Sequence, residues 1–301
     1  MTAIVEMKNV TKTFGNKKAV DNVSFTIEKG SVVAILGPNG AGKTTALSMM
    51  LGLIEPSHGS VRVLDHHPKD REVRTKIGAM LQEVSVMDGL KVHELITLIR
   101  SYYPSPLDIE QLITLTGLKK EDLNRFATKL SGGQKRRLGF ALALAGDPDL
   151  IFFDEPTVGL DINARRVFWE QVRELANQGK TILFSTHYLQ EAEDCADRIM
   201  LFDQGTIVAD GSPNDIKSRL TTRSVSFISE DPLLLNKIRP LPIVNDCYEK
   251  MGRMHAITKD TDGVLRFIFE HNLAVKDILV EQGRLDDAFE QLTLHHEEEA
   301  I

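Results

Sequence analysis

The sequence predicts an α/β domain with a largely parallel central sheet, followed by a small α+β appendage. Three observations carry that expectation. Short apolar runs recur, apolar positions at helical spacing lie between them, and the composition shifts after Gly211-Ser212-Pro213. The runs are Val32-Val33-Ala34-Ile35-Leu36, Leu150-Ile151-Phe152-Phe153 and Thr181-Ile182-Leu183-Phe184. Strands this apolar suit a sheet covered on both faces.

The elements follow in order. Val23, Phe25 and Ile27 alternate with Ser24 and Thr26, the period of a half-buried strand. Gly30 turns the chain into the first apolar run. Ala46, Leu47, Met49, Met50, Leu53 and Ile54 then recur at helical spacing, and Pro56 and Gly59 close that helix before Val61 and Val63 begin another strand. From about residue 84 to 145 the texture is helical, with Leu95, Ile96, Leu98 and Ile99 on one face and Leu112, Ile113 and Leu115 on another. Val167, Trp169, Val172 and Leu175 place a helix between the last two runs. The expected main domain covers residues 1–220, with its helical part at about 84–145. The accessory domain covers 221–301, punctuated by Pro232, Pro240 and Pro242 and ending in Glu297-Glu298-Glu299.

Composition narrows the function. A net charge of -7 gives no electrostatic reason to expect a nucleic-acid partner. The two cysteines, Cys195 and Cys247, are too few for a disulfide framework and fit a reducing compartment. The longest nearly apolar stretch, Leu138 to Ala145, falls far short of the roughly 20 residues that span a bilayer. No basic stretch followed by an apolar core marks the N-terminus as a signal peptide. If the chain serves transport, the pore is another protein.

Gly37-Pro38-Asn39-Gly40-Ala41-Gly42-Lys43-Thr44 fits the pattern G-x-x-x-x-G-K-[ST]. Its glycines let backbone N–H groups converge on phosphate oxygens, and the helix that follows offers its positive end to the same anion. In that role Lys43 reaches the β and γ phosphates and the Thr44 hydroxyl coordinates Mg²⁺. Thr45 follows in the same loop-to-helix segment. The run ending in Asp154-Glu155 puts two carboxylates at the edge where open α/β sheets bind ligands. Asp154 is the candidate Mg²⁺ ligand, and Glu155 the candidate base for the water that attacks the γ-phosphate. Leu130-Ser131-Gly132-Gly133-Gln134 opens a further helix, with Ser131 as its cap and two glycines exposing backbone donors. A capped helix after a glycine turn is the plainer reading, but it leaves a second phosphate-binding helix start unexplained.

At this point the sequence resembles the ABC ATPase family, whose LSGGQ signature it matches at all five positions. The resemblance covers about Ile4 to Gly211 and implies the P-loop NTPase fold of ABC ATPases: an N-terminal antiparallel β subdomain, a mostly parallel core sheet and a helical subdomain. It implies ATP and Mg²⁺ as ligands. It also implies that Ser131, Gly132, Gly133 and Gln134 serve the nucleotide of a partner subunit, identical or paralogous. Gln82 is similar to the Q-loop glutamine that contacts Mg²⁺ or the attacking water, and His187 to the switch histidine that contacts the γ-phosphate. Asp161, in Gly159-Leu160-Asp161, is similar to the D-loop residue at the dimer interface. Phe14 falls at the adenine-stacking position, keeping the ring face of the commoner tyrosine.

The adjacent pairs His66-His67 and His295-His296 lack ligand spacing for a metal, and Arg136-Arg137 reads as the solvated face of the signature helix. Translation-type family members carry two cassettes, and chromosome-type members split theirs around a coiled coil; neither pattern is present. The resemblance therefore implies a transporter subunit working with an integral-membrane permease, contacted near Glu83 to Leu90, at the cytoplasmic face of the membrane. The tail element Leu285-Asp286-Asp287-Ala288-Phe289 is similar to that of bacterial exporter ATPases paired with six-helix permeases. Export of a drug, antibiotic, peptide or lipid-like cargo is the expectation, with import the alternative.

Overall fold

The computed structural model describes residues 3–82, 87–220, 223–231 and 233–282. The chain divides after Pro213 into two compact units.

In the first unit, β1 (Ala3–Phe14), β2 (Lys17–Glu28) and β4 (His58–Val63) form an antiparallel sheet in the order β2-β1-β4. The central sheet has six strands, in the order β5-β6-β7-β3-β8-β9. It contains β3 (Val32–Leu36), β5 (Ile77–Met80), β6 (Leu150–Asp154), β7 (Thr181–Thr186), β8 (Arg198–Asp203) and β9 (Thr206–Gly211). Every pair is parallel except β8 with β9. Each residue of β3, β6 and β7 is buried, as their unbroken apolarity requires.

Helices pack against these sheets and, in the case of the third and fourth, against the fifth helix. They are α1 (Lys43–Met50), α2 (Arg71–Arg74), α3 (Val92–Arg100), α4 (Ile109–Thr116), α5 (Gly132–Leu144), α6 (Ile162–Asn177) and α7 (Leu189–Cys195). One buried cluster unites β1, β2 and β4 with α1 and β3, through Met7, Ile27, Leu47, Met49 and Ile35. Phe140 of α5, Phe153 of β6, Phe168 and Trp169 of α6 and Phe184 of β7 form a chain of ring contacts at 4.6 to 5.6 Å. Fully burying one such ring is worth about 3 kcal/mol. Cys195, half-buried, closes α7, and its thiol meets the Arg173 guanidinium at 3.9 Å.

Three details depart from the sequence expectation. The helix after the glycine loop ends at Met50, short of Leu53 and Ile54, because Gly52 takes φ 67 and ends the turn. Strand β4 begins at His58, so Val61 and Val63 lie in its second half. On α6 the inward residue is Phe168, whereas Val167 is 41% exposed.

The second unit opens on α8 (Pro213–Leu220), whose first residue closes the first unit, and continues with β10 (Arg223–Ile228), α9 (Leu234–Ile238), β11 (Val244–Lys250), β12 (Arg253–Thr258), α10 (Thr261–Glu270) and β13 (Lys276–Gln282). Its sheet has the order β11-β12-β10-β13 and is antiparallel throughout. The sequence β-α-β-β-α-β with this order is the split βαβ arrangement. Val225, Phe227, Leu234, Ile238, Met254, Ala256, Val264 and Ile268 close its own core, with Cys247 buried among them. The tail element from Leu285 to Phe289 and the pair His295-His296 lie outside the described residues.

Candidate nucleotide-binding site

Four neighbouring parallel strands, β5, β6, β7 and β3, end at one edge of the central sheet. Their register places Asp154 beside Ser185, and Leu36 beside Thr186. Loops drawn from widely spaced parts of the sequence therefore converge: Gly37 to Gly42 after β3, Gln82 after β5, Glu155 after β6 and His187 after β7. Ligands bind at this edge because all the strand ends face the same way.

The loop from Gly37 folds as its composition requires. Gly42 caps α1 at φ 103, and a Cβ there would lie 2.3 Å from the Ala19 carbonyl oxygen. Only glycine satisfies both conditions. Ala41 is buried, Pro38 and Thr45 are half-buried, and Asn39, Gly40 and Thr44 are exposed. A cavity of about 490 Å³ opens beside the loop, lined by Phe14, Asn39, Lys43, Thr44, Gln82 and Glu155 among others. Phe14 presents its ring at 52% exposure, with the Lys12 ammonium 5.1 Å above it.

Lys43 is 5% exposed, and its ammonium donates to the carbonyls of Gly37 at 2.7 Å and Pro38 at 3.0 Å. Burial pushes its pKa down, while Glu155 and Asp154 oppose the shift. Glu155 is the hub of the site. Its Oε1 lies 4.0 Å from the Lys43 ammonium and 3.4 Å from His187 Nδ1, and its Oε2 accepts from the Gln82 amide at 3.2 Å. Its backbone has φ 46, a left-handed conformation costing a non-glycine residue about 1 kcal/mol. Asp154 accepts from Ser185 Oγ and, at 3.4 Å, from Thr44 Oγ1. Ser185 also receives the Glu155 N–H at 3.0 Å, so one hydroxyl fixes both acids.

The fit to a hard cation rests on donor chemistry. Thr44 Oγ1, Asp154 and the Gln82 amide offer oxygen atoms beside an open anion loop, the kind of donors that Mg²⁺ takes. Among the described residues no group of three His, Cys, Asp or Glu side chains could hold a metal alone.

Ser131 caps α5, and Gln134 completes a reciprocal capping box with it. Gln134 also donates to Asp122 at 2.9 Å. Ser131 and Gly132 are exposed, Gly133 is half-buried, and none of the four signature residues lines the cavity beside Lys43. Asp161 caps α6 by accepting from the Ala164 N–H at 2.9 Å. The expectation of a solvated Arg136 is corrected. It is half-buried, its Nη1 is enclosed without a hydrogen-bond partner, and its charge senses Glu155 and Asp154. Burial pushes its pKa down and those acids oppose the shift. Sequence reasoning also passed over Ser185, Thr157 and Glu191, because hydroxyls and a helical glutamate carry no spacing signal.

The fold and this convergence of loops define a nucleotide-binding cassette of the P-loop class. A family model described as ABC transporter matches residues 20–158. The chain is 36% identical over 240 residues to the Nod factor export ATP-binding protein I of Burkholderia lata, spanning 77% of this chain and 79% of that protein. With the protein of the same name from Mesorhizobium japonicum it shares 34% identity over 307 residues, spanning 99% and 89% of the two chains. The chain therefore belongs to the ABC transporter family, as an ATP-binding subunit. Among solved structures, a dimeric ATP-binding cassette bound to ADP and Pi in a post-hydrolysis state is 28% identical with a TM-score of 0.64. That match covers 69% of this chain and 98% of the cassette. No helix among the described residues is long and apolar enough to cross a membrane.

Proposed function

We propose that this chain hydrolyses ATP to ADP and phosphate within a dimer of two such cassettes, and thereby drives a separate membrane permease in export. The observation that carries the reading is the placement of Glu155, whose carboxylate meets Lys43, Gln82 and His187 within 4.0 Å at the mouth of the phosphate loop.

In this reading the adenine stacks on Phe14, and the backbone from Gly37 to Thr45 cradles the phosphates, with Lys43 neutralising the β and γ groups. Thr44, Asp154 and Gln82 would hold Mg²⁺, which when bound withdraws charge from the phosphate oxygens. Glu155 accepts the proton of the attacking water as its oxygen bonds to the γ-phosphorus and the bond to the β–γ bridging oxygen breaks. His187 donates a hydrogen bond to the γ-phosphate. Ser131, Gly132, Gly133 and Gln134 of one subunit close on the γ-phosphate of the other, and Asp161 lies at the seam. Closure follows because only the closed state makes both sets of contacts.

Ser131 and Gly132 are exposed, and none of the signature residues lines its own chain's cavity, which supports a shared site. The permease would dock near residues 83–90 at the cytoplasmic face of the membrane. Residues 83–86 lie outside the described set, but the flanking Leu81 and Met87 are 44% and 56% exposed. Export rather than import is favoured by relatives named as export ATP-binding proteins.

Two variants test the hydrolytic reading together. Lys43→Ala should lose tight ATP binding, whereas Glu155→Gln should retain it, stop turnover and accumulate as an ATP-bound dimer by size-exclusion chromatography. Normal hydrolysis by Glu155→Gln would remove the base from the proposal. Docking is tested by Met87→Cys, which should cross-link to a co-expressed permease; cross-links confined to the opposite end of the cassette would displace that surface.

A further inference from the structure

Glu191 lies on α7, four residues beyond His187, and is 5% exposed. Its two oxygens turn to different loops. Oε1 accepts from Thr157 Oγ1 at 2.5 Å, and Oε2 accepts from Thr186 Oγ1 at 2.9 Å. Thr157 stands two residues after Glu155, and Thr186 immediately precedes His187. The Thr186 hydroxyl in turn accepts from the Tyr188 N–H at 3.0 Å, so the peptide that follows His187 is fixed.

A buried glutamate needs a counter-charge as well as hydrogen bonds to replace its water, and Arg165 of α6 approaches Oε1 at 3.4 Å. That approach accounts for the charge and not for the arrangement. Arg165 Nε makes no hydrogen bond, and its guanidinium lies over the Tyr188 ring, 4.5 Å from the centroid. Tyr188 packs on the His187 ring at 4.1 Å. The directed bonds of Glu191 go to the two loops that carry the base and the switch histidine.

The strain at Glu155 gives those bonds a purpose. A left-handed glutamate persists only where its surroundings hold it. Upstream, its N–H is bonded to the carbonyl and hydroxyl of Ser185. Downstream, Thr157 is anchored by Glu191.

We propose that Glu191 is a positioning residue for ATP hydrolysis, a clamp that locks the Glu155 turn to the His187 loop so that base and switch are presented together. The proposal rests on the roles given above to Glu155 and His187. Both Thr157 and Thr186 are buried, so the bonds form away from competing water.

The test measures Glu191→Ala, Glu191→Gln and Thr157→Val in the full chain beside Glu155→Gln. Loss of the clamp should lower kcat about tenfold or more, since misplacement of reacting groups acts on the chemical step. The Kd for a fluorescent ATP analogue should stay within about threefold, because the phosphate loop is untouched. Glu191→Gln, which keeps the shape and one acceptor oxygen, should restore most of the turnover. Thr157→Val should lower kcat alone but add nothing to Glu191→Ala, the coupling expected of partners in one bond. Wild-type turnover in Glu191→Ala beside an inactive Glu155→Gln would overturn the clamp and leave the base in place. An active Glu155→Gln would instead remove the base itself. Parallel loss of affinity and turnover, or no rescue by Gln, would overturn the proposal in favour of a purely structural role. Should Glu191→Ala not fold, unchanged kcat in Thr157→Val would overturn it equally.

Discussion

The two units each cover a sheet with helices, yet only one gathers chemistry, and strand direction explains the contrast. In the first unit β5, β6, β7 and β3 run parallel, so four consecutive strand ends deliver Gln82, Asp154, Glu155, His187 and the phosphate loop to one edge. In the second unit every neighbour is antiparallel, so each edge of the sheet receives only alternate strand ends. Its interior accordingly reads as closure: Phe227, Val225, Met254 and Ala256 under α9 and α10, with Ser226 and Thr258 as the fully buried polar side chains. Many of the buried polar groups of the first unit gather instead at the sheet edge, where Lys43, Asp154, Glu155 and Ser185 constrain one another and Glu191 holds Thr157 and Thr186. A parallel sheet concentrates function because it concentrates strand ends.

The sharpest way to break this contrast is to damage the second core alone. Phe227 is fully buried, and truncating a buried phenylalanine costs about 3–5 kcal/mol. Phe227→Ala should therefore unfold the second unit at lower temperature, seen as an early calorimetric transition and loss of hydrogen-exchange protection in β10 and β12. ATP affinity should stay within about twofold, since the ligand-binding groups belong to another core. If affinity fell together with the early transition, the two cores would be energetically one.

A smaller effect sharpens the contrast. Asp161 caps α6 and Asp260 caps α10, each accepting an N–H three residues on at 2.9 Å. Replacing either with alanine should cost about 1 kcal/mol of stability to its own unit. Only Asp161→Ala should also slow ATP turnover, because the proposed seam passes its helix start. Equal turnover in the two variants would leave Asp161 as a cap and nothing more.

Much of the first unit was legible because its chemistry is contiguous. The glycine loop with Lys43 and Thr44, the apolar strand ending in Asp154-Glu155 and the capped start at Ser131 each announce themselves within a few residues. Bonds between distant segments were not legible. Thr157 and Glu191 are 34 residues apart and of common types, and nothing in the sequence ties the Ser185 hydroxyl to Asp154. Arg136 reads as solvated from its basic neighbours, and only the packed helix shows its enclosed guanidinium. The end of α1 at Met50 was missed because Leu53 and Ile54 keep helical spacing beyond a glycine that ends the helix. In the second unit the α+β character was visible, whereas the order β11-β12-β10-β13 was not, since strand order leaves no trace in local periodicity.

The surroundings of the two cysteines have a practical side. Burial pushes the Cys195 thiol up to about 11, despite Arg173 beside it, and raises that of Cys247 as well. Because thiolate is the reactive form, a thiol whose pKa is raised by burial is slow to alkylate at neutral pH. The native protein thus offers a quiet background for maleimide chemistry. A single reporter cysteine engineered onto its surface would take up a fluorophore or spin label first, with neither natural cysteine having to be removed.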